Sequence, residues 1–159
     1  MSKSHKWWNP EKQTIEKHYK ESMSKMVKLV GNKTTYLTPL NKAGKKLFGD
    51  KFLGVFAADT IPKNIENGKC LIANLDNHNE PGEHWVAICK HVSKNELLVY
   101  DTFARNIHKI LPTLFNRSER IKTTEKDKEQ KKSETNCGAH ALAFIDIYYK
   151  YGPKAAELI

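Results

Sequence analysis

The stretch CGAHALAFIDIYYKYGP (137–153) decides the fold. It is densely apolar and long enough for about four helical turns. Gly152-Pro153 supplies its end. A helix that is apolar nearly all round belongs at the centre of a domain. The segment before it, 116–136, is charged and poor in apolar residues, with RIKTT (120–124) its one candidate strand. Cys137 therefore opens a buried helix directly after a polar surface segment.

Working outward, HWVAICKH (84–91) and ELLVYDTF (96–103) form a β-rich pair joined by a polar turn near Ser93-Lys94-Asn95, which predicts a hairpin. CLIANL (70–75) reads as a buried strand, and FLGVFAADTIP (52–62) as a short apolar run ended by Pro62. IHKILPTLF (107–115) predicts a short helix ended or kinked at Pro112. Near the start, Asn9-Pro10 resembles an N-cap followed by a first-turn proline. Ile15, Tyr19, Met23 (or Ser22), Met26 and Val30 then recur at helical spacing, and Gly31-Asn32 supplies a stop. This predicts an amphipathic helix over 10–30 with a lysine-rich outer face and Trp7 and Trp8 packed on the body of the domain. Residues 32–50, rich in Thr, Lys and Gly, read as loop with short elements. Without repeats or a linker, the chain reads as one α+β domain over 1–159: a basic helix and loop region (1–50) and a core (51–159) around a central mixed sheet with a buried helix.

Composition bounds the function. The 159 residues are 39% hydrophobic and 28% charged, which supports a real core under a wet surface. No run of 18 apolar residues predicts a membrane span, and MSKSHKWWNPEK lacks the apolar stretch of a secretory signal. The three cysteines are too few for a disulfide framework and are expected as thiols in a reducing compartment. Net charge is +9. Residues 1–50 carry 11 Lys/Arg against 4 Asp/Glu, while 51–115 carry 7 against 7. The basic first third suits phosphate contacts with DNA; a solvated lysine face is the alternative.

Cys70 and Cys89 lie inside apolar runs and are expected as inert packing residues. Cys137 differs: a thiol at a helix N-terminus meets the positive end of the backbone dipole, an environment that lowers cysteine pKa to about 3.5–7.5. Gly138 removes a side chain where a carbonyl would approach, and the Cys137 N–H suits a developing oxyanion. Such a nucleophile needs a base. Of seven histidines, His5, His18 and His78 lie in polar stretches, His140 is packed one turn beyond Cys137, His108 sits on a surface helix and His91 at a turn. His84 begins a strand, which holds an imidazole rigidly. The hairpin returns Tyr100–Ala104 toward the start of the first strand, bringing Asp101 near His84. A carboxylate there fixes the ring tautomer and stabilises an imidazolium; an ordinary cross-strand polar pair is the other reading. Zinc at Cys89-x-His91 would need further ligands at close spacing, and only this one close pair exists.

The order GEHWVAI (82–88), LLVYDTF (97–103), then Gln130 before Cys137-Gly138 in QKKSETNCGAHALAF resembles the adenovirus proteinase (adenain) family and its clan, which includes the SUMO and ubiquitin-like deconjugating proteases. FLGVFAADTIP adds a weaker match to the clan's Gly-Val-aromatic…Asp-x-x-Pro stretch. The similarity spans roughly residues 45–150. It implies a papain-like, adenain-like fold in which Cys137 is nucleophile, His84 general base and acid, Asp101 the orienting acid and Gln130 an oxyanion donor. Trp85 would shape the cleft wall, and Gly138 would leave room for substrate. Aspartate stands where the adenovirus enzyme has glutamate, as in the deconjugases, and C-terminal elements of that enzyme have no counterpart. The implied activity is a monomeric, virus- or virophage-encoded endopeptidase cutting capsid precursor proteins in the virion or in the host cytoplasm or nucleus. It would need no cofactor or metal, with activation by DNA or a peptide as a family trait. Deconjugation of a ubiquitin-like modifier and a non-enzymatic DNA-binding scaffold are the alternatives.

Overall fold

A computed structural model describes residues 10–31, 37–74, 84–101, 106–124 and 137–159. Its helices are α1 (Pro10–Val30), α2 (Leu37–Phe48), α3 (Ile107–Ile110), α4 (Cys137–Tyr151) and α5 (Pro153–Ala156). Its strands are β1 (Phe52–Phe56), β2 (Cys70–Asn74), β3 (Trp85–Lys90), β4 (Glu96–Tyr100) and β5 (Arg120–Thr123). The strands form one sheet in the order β1-β2-β3-β4-β5. β1 runs parallel to β2 and β4 parallel to β5, while the central pairings are antiparallel. The fold is α+β with a mixed sheet, as the sequence implies.

The sheet is covered on both faces, and the period of two along each strand distributes its residues between them. Cys70, Ile72, Ala87, Cys89, Leu98 and Tyr100 face the core under α4, α1 and α2. Leu71, Ala73, Val86, Ile88, Leu97 and Val99 face the opposite core with Ile65, Ile107, Leu111 and Leu114. Because both faces are buried, β2 and β3 read as unbroken apolar runs. α4 is buried at every position from Cys137 to Tyr148, the reason its sequence shows no polar stripe. α1 packs Ile15, Tyr19 and Met26 onto the same core. Ser22 rather than Met23 takes the buried position between them, donating to Asp146 at 2.7 Å.

Residues 37–48, expected as loop, form α2. Pro39 fits its first turn, and Leu40 and Ala43 are buried with Leu47 and Phe48 partly so. The break at Pro112 is as expected: α3 stops before it and a 3-10 turn spans Pro112–Asn116. Trp7, Trp8 and Asn9 lie outside the described residues. No helix among the described residues is long and apolar enough to cross a membrane.

Candidate active site

The hairpin register pairs Ala87 with Tyr100 and Lys90 with Leu97. The start of β3 and the end of β4 therefore meet at one end of the sheet. His84, immediately before β3, places Nε2 at 2.8 Å from Asp101 Oδ1, immediately after β4. The carboxylate is buried, at 2% side-chain exposure, while the ring keeps 15%. A carboxylate can only accept, so Nε2 carries the proton and Nδ1 is the basic nitrogen in the neutral ring.

α4 brings the sulfur to the same end. Its first residue, Cys137, lies where the main-chain N–H of Trp85 reaches the thiol, beside the N–H groups of Cys137 and Gly138. Further along, the Tyr148 hydroxyl donates to Lys90 O at 3.0 Å. Helix and strand thus run side by side: 137 to 148 climbs about 16 Å at helical rise and 85 to 90 about 16 Å at strand rise. The common starting end holds Cys137, His84 and Asp101. Asp101 is near enough for its charge to act on the thiol.

The thiol's pKa moves opposite to the direction expected from the helix terminus. Burial pushes the Cys137 thiol up from its ordinary 9.0; the N–H groups of Trp85, Cys137 and Gly138 pull it down, the Asp101 charge pushes it up, and the net direction is upward.

A buried polar chain backs the site. Tyr19 on α1 shares a 2.7 Å hydrogen bond between hydroxyls with Tyr100, the residue before Asp101. The same Tyr19 oxygen lies 2.5 Å from His140 Nδ1, one turn along α4 from Cys137. Tyr100 also stacks on Phe144, with ring centroids 4.6 Å apart. Sequence reasoning missed Tyr19 as a partner of both elements, since the contact spans 121 positions and leaves no local pattern.

The remaining candidates divide. Trp85 has only 2% exposure and packs within the core, so its side chain is a core residue before it is a wall of any cleft. Gly138 is buried with its N–H at the thiol. Gln130 lies outside the described residues. His18 is partly covered, stacked on Tyr151; His108 is exposed; His91 Nδ1 accepts from the N–H groups of Ser93 and Lys94 in the turn. Cys89 points to the core against Cys70, so Cys89 and His91 do not converge. The described residues contain no group of three or more His, Cys, Asp or Glu able to hold a metal ion.

A cleft of about 680 Å³ opens at the other end of the sheet, lined by Ile65, Lys90, Leu114, Arg117 and Glu119 among others. Its buried charges are already satisfied within the chain: Arg117 grips Glu119 through two nitrogens and donates to Pro62 O and Lys63 O, and Lys90 donates to Glu119 and Asn95. His84, Asp101 and Cys137 lie away from this cleft, at the opposite end of the sheet.

No family model matches the chain, and no curated protein matches it.

Proposed function

We propose that the chain is a cysteine endopeptidase with a papain-like, adenain-like catalytic arrangement, processing capsid precursor proteins during virion maturation. The observation that carries the reading is the 2.8 Å His84–Asp101 pair set at the strand ends beside the thiol that opens a buried helix. An isolated cross-strand polar pair has no reason to share its end of the sheet with a cysteine at a helix N-terminus. The order of sequence motifs supplies the substrate class.

The steps follow from the positions. His84 Nδ1 takes the Cys137 proton as the sulfur attacks the peptide carbonyl, and Asp101 stabilises the resulting imidazolium through Nε2–H. The oxyanion is held by the Cys137 main-chain N–H and the Gln130 side-chain amide. The tetrahedral adduct collapses as His84 returns the proton to the leaving amine. The acyl-enzyme is then hydrolysed by a water whose proton His84 accepts.

The test is cleavage of a glycine-containing peptide library and of a capsid precursor, run beside ubiquitin-like conjugates, with a thiol-reactive peptide probe. The expected result is cleavage of the precursor, probe on Cys137 with Cys70 and Cys89 spared, and no turnover by a folded Cys137→Ala chain. Turnover surviving in Cys137→Ala rejects the nucleophile, and cleavage confined to conjugates assigns the site to deconjugation. Failure of the probe to label any cysteine, with DNA bound, leaves the scaffold reading in its place.

A further inference from the structure

The proposed reaction uses one of the three cysteines. The other two meet across the centre of the sheet. Cys70 and Cys89 are register partners in the antiparallel β2–β3 ladder, both with 0% exposure, and their sulfurs are 2.6 Å apart. Their place in the ladder matters. The N–H of Lys90 donates to Lys69 O at 2.9 Å, so that neighbouring position is a hydrogen-bonded one and the cysteines occupy the non-hydrogen-bonded position beside it. There the Cα atoms approach to about 4.5 Å and side chains come closest, within the span of about 4.4–6.8 Å that a disulfide bridges. Both side chains leave the same face of the sheet, toward α4. Closing the bond therefore needs no backbone rearrangement.

We propose that Cys70 and Cys89 form a reversible cross-strand disulfide site, oxidised by low-molecular-weight disulfides of the glutathione class. The exchange balances in two steps. The Cys70 sulfur loses its proton and attacks one sulfur of the oxidant, releasing one thiolate that takes up the proton. Cys89, deprotonated in turn, attacks the Cys70 sulfur of the mixed disulfide and releases the second thiol. Two protein thiols and one small disulfide become one protein disulfide and two small thiols, with two electrons passing to the oxidant. Burial, then the hydrogen bond and charge of Cys70, push the Cys89 thiol well above its ordinary 9.0. The pair is accordingly slow to react while β2 and β3 are closed and reacts when the ladder opens or as the chain folds. The bond spans the segment 71–88, whose far end carries His84 and Trp85, so it tethers the strand that presents the base.

The test does not depend on peptidase turnover. The reduced full-length chain is refolded in glutathione buffers of graded redox poise, quenched in acid, alkylated in denaturant and mapped by peptide mass. The expected result in oxidising buffer is a peptide pair joined through Cys70 and Cys89, whatever the state of Cys137, reverting on reduction. Closure of a loop this size raises the thermal midpoint by about 6–12 °C, and Cys70→Ala and Cys89→Ala each lose that rise. Both residues remaining alkylatable in the most oxidising buffer, stable glutathione adducts on either, or a bond to Cys137 overturns the proposal. The mapping on the unsubstituted chain decides the matter even where a substituted chain fails to fold.

Discussion

Three main-chain N–H groups face the Cys137 sulfur, and burial still outweighs them. A thiol in that state depends on its base. Alkylation of Cys137 by iodoacetamide at pH 7 should therefore slow by about 100-fold or more in His84→Ala and recover as pH climbs past 9.0, the thiol's ordinary value. Equal rates in the two chains at pH 7 would remove His84 from its role. Tyr19 can be tested by a smaller change. Phenylalanine keeps the ring edge-on to Tyr100 but deletes the oxygen that bridges Tyr100 and His140. Leaving those buried groups short of a partner costs about 1–3 kcal/mol, read as a fall in the urea midpoint of Tyr19→Phe. An unchanged midpoint would mean the bridge contributes nothing net. Neither effect is legible in the sequence: Cys137 is buried in the core beside Trp85, and the Tyr19 bridge joins three elements far apart in the chain.

At the scale of elements, legibility follows how far each element's environment repeats along its own residues. α4 is covered on all sides and is apolar on all sides. The β3–β4 hairpin has a short polar turn between apolar runs, so its register and the approach of Asp101 to His84 follow from local counting. α2 hid because Gly44 and three lysines dilute its apolar stripe. That glycine has a packing reason: a Cβ there would overlap the Phe52 ring, which is fully buried. Helix propensity alone favours alanine by about 1 kcal/mol, whereas overpacking costs about 1–3 kcal/mol. Gly44→Ala is expected to lower the denaturation midpoint; a rise would show that the Phe52 ring yields freely. The Cys70–Cys89 pairing was out of reach for a different reason, since β2 and β3 are joined by a long connection whose length sets no register.

Across the whole molecule, the two ends of the sheet divide the labour. One end gathers the sulfur, the imidazole and the carboxylate; the other is fastened by Glu119, which joins Arg117 to Lys90 and so ties the 3-10 turn, β3 and the segment at Pro62–Lys63. Burial raises the Glu119 carboxyl, but hydrogen bonds from Arg117, from its own main chain and from Lys90, with the Arg117 charge, carry it below its ordinary 4.5. A depressed folded value means the stabilisation is present above about pH 4.5 and disappears as pH falls through the folded value. In urea titrations from pH 6 to 3, the parent chain should lose stability more steeply than Glu119→Gln, and parallel curves would take that carboxylate out of the acid response. The exposed lysines of α1 and α2 keep the basic character of the first third on the surface, where sequence placed it.

Chain order adds one more consequence. The five strands among the described residues all precede α4, so synthesis delivers the imidazole and its carboxylate before the sulfur. A nascent polypeptide halted ahead of residue 137 has neither a nucleophile nor the lid over half of its apolar interior. Under the proposed activity, the growing polypeptide therefore carries no cutting edge until residue 137 and the helix it opens have been made.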